Sequence, residues 1–242
     1  MLMFFRVLLA WLFSAFFLCL VAFFFILTLR RYHFELGAPI GRFWARTVLK
    51  IVGIEVILEN PSPFTTPKAR ICIVNHQSLL DLLWFGAIAP TGFTAIGKKE
   101  LRAIFPINLA WWALKLHYID RSNPTKAISS LNALAEDLVS EKRTAVISPE
   151  GTRCDDGEIG PFKKGAFHLA CQCGIPLYPV IVAGAYELFP ITAMLPLPGK
   201  IYVKFLDPID TSDWTTDTLV EHVETTRNTM VEEYEALRTR LA

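Results

Sequence analysis

ICIVNHQSLLD, residues 71–81, decides how the rest of the chain is read. Four apolar residues, 71–74, have the length and composition of a buried strand, and polar Asn75-His76-Gln77-Ser78 ends it. Short apolar runs of the same kind recur at 54–58, 93–96, 117–119, 144–147, 177–182 and 201–205. Helical stretches fall between them: one after Asn75, one over roughly 126–141 and one over roughly 164–172. This alternation predicts an α/β fold, a single domain with a mixed, largely parallel sheet flanked by helices. Residues 217–241 close the chain with Leu219, Val223, Met230, Tyr234, Leu237 and Leu241 at helical spacing, the apolar stripe of a docked helix.

The other end of the chain has a different composition. Residues 8–29 hold only Ser14 and Thr28 as clearly polar side chains. As a helix, such a run is ~33 Å long, enough for a hydrocarbon core of ~30 Å. It is longer than the ~7–15 residue apolar core of a signal peptide, and no small-residue cleavage site closes it. Arg30, Arg31 and His33 follow, and basic residues beside an apolar span favour the cytoplasmic side, although Arg6 stands on the other flank. A second helix is expected over 40–52, with Phe43, Trp44, Val48, Ile51 and Val52 apolar and Arg42, Arg46 and Lys50 basic. That pattern suits a helix lying in the membrane interface and equally a helix covering the core. The expected organisation is therefore a membrane-associated N-terminal part, 1–52, built as a spanning helix or a helical hairpin, and an α/β domain, 53–242.

Hydrophobic residues make up 52% of the 242-residue chain, which is ample for a core. The formal net charge of +1 gives no reason to expect a nucleic-acid partner. Cys19, Cys72, Cys154, Cys171 and Cys173 are odd in number and show no disulfide framework. Cys171-Gln-Cys173 alone is too few ligands for tetrahedral zinc, so no metal set is visible.

Chemistry is expected where the strand at 71–74 ends, because α/β folds place ligands at the carboxyl ends of strands. His76 stands there, and Asp81 follows five residues later. If a helix begins near Ser78, Asp81 lies in its first turn and can fold back on the imidazole, leaving the other ring nitrogen to accept a proton. On spacing alone, a histidine capped by its own turn fits as well. Ser148-Pro149-Glu150-Gly151-Thr152-Arg153 follows another strand and joins a glycine, which permits close backbone approach, to a guanidinium suited to phosphate. Lys98 and Lys99, Arg121, and Lys163 and Lys164 add cations near other predicted strand ends or a helix start. Each cluster alone reads as a solvated loop; together they suggest a site for an anionic ligand.

Four blocks in this order, NHQSLLD, GKKEL with the later YIDR, SPEGTR and IPLYPV, resemble the glycerolipid acyltransferase superfamily, especially its bacterial 1-acylglycerol-3-phosphate acyltransferases. The resemblance covers about residues 70–205 and carries the NHxxxxD and PEGTR patterns. One departure is Ser148, where the family often has Phe. The resemblance implies that His76 is the general base and Asp81 orients it. It implies that Glu150, Gly151, Thr152 and Arg153 bind the acceptor, with Lys98 and Arg121 helping to hold its phosphate. The implied reaction moves an acyl group from acyl-CoA or acyl carrier protein, a donor substrate and not a cofactor, to the sn-2 hydroxyl of lysophosphatidic acid. The implied setting is a bacterial inner membrane, with membrane lipid around the chain and the site on the cytoplasmic side. Glycerol-3-phosphate, a lyso-aminolipid or another lysophospholipid fits the same residues as acceptor. A thioesterase would not need the cations, and a non-enzymatic lipid-binding protein would not need the His/Asp pair. No GxSxG nucleophile elbow is present. Cys154, beside Arg153, has no assigned base to make it a nucleophile.

Overall fold

The computed structural model describes residues 1–61, 68–105, 107–120, 122, 124–153 and 155–241. Seven strands form one sheet in the order β1 (Ile54–Glu59), β7 (Gly199–Phe205), β6 (Leu177–Ala183), β2 (Arg70–Val74), β5 (Thr144–Ile147), β3 (Phe93–Lys98), β4 (His117–Ile119). Every neighbouring pair is parallel except β6 with β7. All five β2 residues are buried, as expected for a strand covered on both faces, which is why residues 71–74 read as one unbroken apolar run. In β7 only Ile201, Val203 and Phe205 are buried, the period of two of a strand with one covered face.

Two cores sandwich the sheet. On one face α5 (Pro124–Ser140), α6 (Gly165–Cys173) and α8 (Leu219–Arg238) bury Leu134, Leu138, Phe167, Tyr234 and Leu237. On the other, α2 (His33–Val52) and α3 (Asp81–Ile88) bury Ala45, Leu49, Val52, Trp84 and Ala87. Short helices α4 (Ile107–Ala113) and α7 (Ala185–Leu188) complete the layers.

α1 (Leu2–Leu27) turns back and runs antiparallel to α2. The Trp44 indole donates to Ser14 Oγ at 3.0 Å, and the rings of Phe17 and Phe43 lie 5.4 Å apart. At the far end Arg6 reaches Gly53, the left-handed cap of α2: its guanidinium is 3.0 Å from where a Cβ would stand. By length and composition α1 can cross a membrane. Its outer face exposes Phe4, Phe5, Leu8, Leu9, Trp11, Leu12, Phe16, Leu20, Phe23 and Leu27.

Three expectations shift. α2 begins at His33, not at 40, and carries Pro39 inside it at the cost of one backbone bond. Its inner face covers the core, and Arg42, half-buried, and Arg46, exposed, reach across to α3, donating to the carbonyls of Ala89 (2.6 Å) and Ala87 (2.9 Å) at its end. Cations at a helix carboxyl end meet the unsatisfied carbonyls there. Finally, α3 begins at Asp81 itself, after a turn over 78–80.

Candidate active site

β2 lies between β6 and β5, with Ile73 in register with Pro179 and Ile147. The chain therefore leaves β2 and β5 side by side at their carboxyl ends, bringing His76 and Glu150 together. The Asn75 side chain fixes the exit from β2. Its amide donates to the carbonyl of Val182 (2.9 Å) and its oxygen accepts from the amide of Val182 (2.8 Å), continuing the β2–β6 ladder with a side chain.

Asp81 takes up nearly all of its accepting capacity locally. Its Oδ2 accepts from His76 Nδ1 at 2.7 Å and from the amides of Gln77 and Ser78 at 2.9 and 3.0 Å. Its Oδ1 accepts from the Trp84 indole at 2.8 Å. An ionised carboxylate only accepts, so His76 Nδ1 must carry hydrogen and the lone pair of the neutral ring sits on Nε2. The Asp81 side chain is 11% exposed and that of His76 34%, so the carboxylate is held inside and the ring reaches outward.

Glu150 supports the same turn from β5. Its Oε2 accepts from the backbone amide of His76 at 3.1 Å. Burial pushes its carboxyl up to about 8 and the nearby Asp81 charge adds to this, while the His76 amide and Arg227 oppose it. At neutral pH Glu150 is thus mainly neutral, and the turn carries the single charge of Asp81. Gly151 follows in left-handed backbone at φ 72; a Cβ there would stand 2.8 Å from the Lys163 ammonium. A side chain at 151 would displace that cation.

The loop after Glu150 is tied to α8. Arg227 donates to the carbonyls of Gly160 (2.8 Å) and Ile159 (2.7 Å), and the Tyr234 hydroxyl donates to that of Gly157 (2.6 Å). Gln77, next to the histidine, donates to both the Tyr234 oxygen (2.6 Å) and the Gly157 carbonyl (3.1 Å). Burial pushes the Tyr234 hydroxyl up, which keeps it a donor.

His76, Asp81 and Glu150 are thus joined by hydrogen bonds. Thr152 and Arg153 follow in the same loop, Thr152 exposed and Arg153 half-buried. Lys98 ends β3, two strands from β2 and so roughly 10 Å away at ~4.8 Å per strand; it is exposed and 3.8 Å from Glu100. Its neighbour Lys99 is engaged by Asp120 at 3.0 Å, and the Ser122 hydroxyl, followed by that contact, holds Asp120 down at about 2. Arg121 and Cys154 lie outside the described residues. Asn75, Gln77, Trp84, Arg227 and Tyr234 were not among the expected site residues. Only Trp84, three positions after Asp81 on the same helix face, carried a local signal. Among the described residues no group of three or more His, Cys, Asp or Glu is placed to hold a metal ion. Cys72 is fully buried with its thiol pushed up to about 12, unsuited to attack.

A family model described as Acyltransferase matches residues 55–183, more than half the chain. The 1-acyl-sn-glycerol-3-phosphate acyltransferase of Cocos nucifera is 35% identical over 189 residues, 78% of this chain and 60% of its own length. That of Saccharomyces cerevisiae is 38% identical over 188 residues, 76% of this chain and 59% of its own. The match thus spans about three fifths of these relatives. The solved 1-acyl-sn-glycerophosphate (LPA) acyltransferase PlsC from Thermotoga maritima superposes with a TM-score of 0.79 at 26% identity, over 97% of this chain and 95% of that one.

Proposed function

The chain belongs to the acyltransferase family, and from that premise we propose that it transfers a fatty acyl group from acyl-CoA or acyl carrier protein to the sn-2 hydroxyl of 1-acyl-sn-glycerol-3-phosphate, giving phosphatidic acid. The observation that carries the reading is the 2.7 Å bond from His76 Nδ1 to Asp81, which leaves Nε2 as an outward-facing base at the carboxyl end of β2. Nε2 takes the hydroxyl proton as the oxygen attacks the thioester carbonyl. A C–O bond forms, the tetrahedral intermediate collapses, and the C–S bond breaks. The imidazolium, stabilised by Asp81, returns the proton to the departing sulfur. A thiol with a pKa of ~8.5 leaves without strong acid. Arg153, Thr152 and the Glu150–Gly151 turn bind the acceptor in this reading, with Lys98 and Arg121 as further phosphate partners.

The hairpin geometry supports seating in one leaflet. α2 is packed on α3 and β1, and α1 lies along α2, so the exposed aromatic face of α1 runs beside the domain instead of projecting from it. Each of its large side chains gains about 1.5–3 kcal/mol on leaving water, far more in sum than any surface ion pair. In this reading the hairpin holds the dyad at the surface of a bacterial inner membrane, on its cytoplasmic side. The test is formation of phosphatidic acid by the purified chain and its loss in His76→Ala.

A further inference from the structure

The far edge of the sheet holds a second polar feature, a cavity of about 400 Å³. Three cations from separate parts of the chain line it: Arg30 in the turn between α1 and α2, Arg102 in the 3-10 turn after β3, and Lys115 after α4. Aromatic rings position two of them. The Arg30 guanidinium sits 5.1 Å from the ring centre of Trp112, and that of Arg102 sits 4.5 Å from Tyr118. Among the described residues no carboxylate forms an ion pair with any of the three. Arg30 Nε is buried with no acceptor. The cluster thus concentrates positive charge and leaves a donor unused, which a bound anion would correct.

Backbone strain is concentrated at the same place. Arg30 and Lys115 both occupy left-handed backbone, at φ 58 and φ 50. Each follows a helix end closed by a bond across six residues, Arg30 amide to Phe25 carbonyl (2.7 Å) and Leu116 amide to Trp111 carbonyl (3.0 Å). Glycine is the usual residue at such turns, because other side chains clash there. Here long cationic side chains stand at both, and both point into one cavity.

The position of the cavity identifies its ligand. β4 is the third strand from β2, roughly 14 Å away at ~4.8 Å per strand. The phosphate of a lyso-acceptor is only a few bonds of about 1.5 Å from its reacting hydroxyl, so while that hydroxyl is at His76 the phosphate stands well short of this cavity and is met from β3 and β4 only by long side chains reaching back toward β2. Leu29, beside Arg30, is 90% exposed, and Phe105, three residues past Arg102, is half exposed. α1, with its outward apolar face, ends at this point. Cations flanked by aromatic and apolar side chains match the boundary between headgroups and acyl chains.

We propose that this cavity binds the phosphate of an anionic phospholipid of the surrounding bilayer, at a site separate from the dyad and its acceptor. The lipid's chains lie against α1, and the site fixes how the hairpin sits at the headgroup layer.

The test is native mass spectrometry of the full chain in detergent, titrated in turn with dioctanoyl phosphatidylglycerol, dioctanoyl phosphatidylcholine, inorganic phosphate and adenosine 3′,5′-bisphosphate. The wild type retains one phosphatidylglycerol in clear preference to phosphatidylcholine. Replacing Arg102 and Lys115 together by Ala weakens that binding roughly tenfold or more, the scale of removing two phosphate-facing cations. Arg102→Lys with Lys115→Arg keeps most of it. His76→Ala binds as the wild type does, so failure of the catalytic reading would leave this result untouched. If the double alanine variant does not fold, Arg30→Gln in the turn between α1 and α2 must still weaken binding severalfold. Undiminished phosphatidylglycerol binding in these variants overturns the proposal. So does inorganic phosphate binding as tightly as the lipid. Loss of adenosine bisphosphate binding alone would assign the cavity to the acyl donor instead.

Discussion

Replacing Asp81 by Asn exchanges one heavy atom and should disable the site while leaving the fold largely in place. Asp81 Oδ2 accepts three hydrogen bonds and Oδ1 a fourth, all from donors. An amide has one accepting end. If its oxygen faces His76, Gln77 and Ser78, its NH₂ meets the Trp84 indole N–H; flipped, it meets the other three donors. Either way a buried donor is left opposed, a cost of about 1–3 kcal/mol in stability. The larger effect is on the reaction. The imidazolium formed as His76 takes the acceptor proton loses its counter-charge, and the NH₂ orientation favours the tautomer with its lone pair on the wrong nitrogen. Charge-assisted bonds are worth roughly 1.5–3 kcal/mol, and misplacing the tautomer adds to this, so kcat should fall about 10²–10⁴-fold. Both KM values should change little, because Asp81 sits behind the histidine. Thiol release from acyl-CoA in detergent, with each substrate varied in turn, measures the effect, and thermal unfolding monitors the fold. A folded variant keeping kcat within about threefold of wild type would refute the role given to Asp81.

Arg153→Ala should raise KM for the lyso-acceptor strongly and KM for acyl-CoA little, at about 2–5 kcal/mol for loss of a substrate-binding charge, with Arg153→Lys only a partial rescue because it lacks the fork; a larger effect on the donor side would move Arg153 to the donor. Glu150→Gln should flatten the pH dependence of stability. Glu150 is raised from 4.5 to about 8, so its stabilising contribution is full below about 4.5 and is lost as pH rises through about 8, on the order of 5 kcal/mol at most. Apparent Tm in detergent should therefore separate the two proteins increasingly between those limits, and parallel curves would contradict a neutral Glu150. A cysteine placed at Met3, in a background whose five native cysteines are replaced by Ser or Ala, should be labelled only from the cytoplasmic side; labelling from outside the cell would mean that α1 spans.

Much of this architecture can be read along the chain because its strands are short and well covered. Residues 71–74 and 179–183 are buried on both faces and so form unbroken apolar runs. The start of α2 is harder to read. Gly37 and Pro39 look like breakers, yet Gly37 admits Leu114, whose Cδ2 would lie 2.5 Å from a Cβ there. α4, INLAWWA, is too short and too apolar to tell from a strand. The His76–Asp81 pair is local and therefore visible. Its supports are not: Asn75 meets Val182 across 107 positions and Gln77 meets Tyr234 across 157, contacts that exist only once the sheet order is set. The bonds of Arg42 and Arg46 to the end of α3 are hidden for the same reason, since a cation on an amphipathic helix looks alike whether it faces a headgroup or a helix end.

The most direct measurement follows the product. Purified full-length chain in detergent is given an isotopically labelled acyl thioester and, in turn, 1-acyl-sn-glycerol-3-phosphate, glycerol-3-phosphate, a lyso-aminolipid or no acceptor, and the lipids are resolved by mass spectrometry. The predicted result is label in phosphatidic acid with the first acceptor, falling about 10²–10⁴-fold in folded His76→Ala. Label found mainly in free fatty acid or in another acceptor's product, or undiminished phosphatidic acid from His76→Ala, would contradict it.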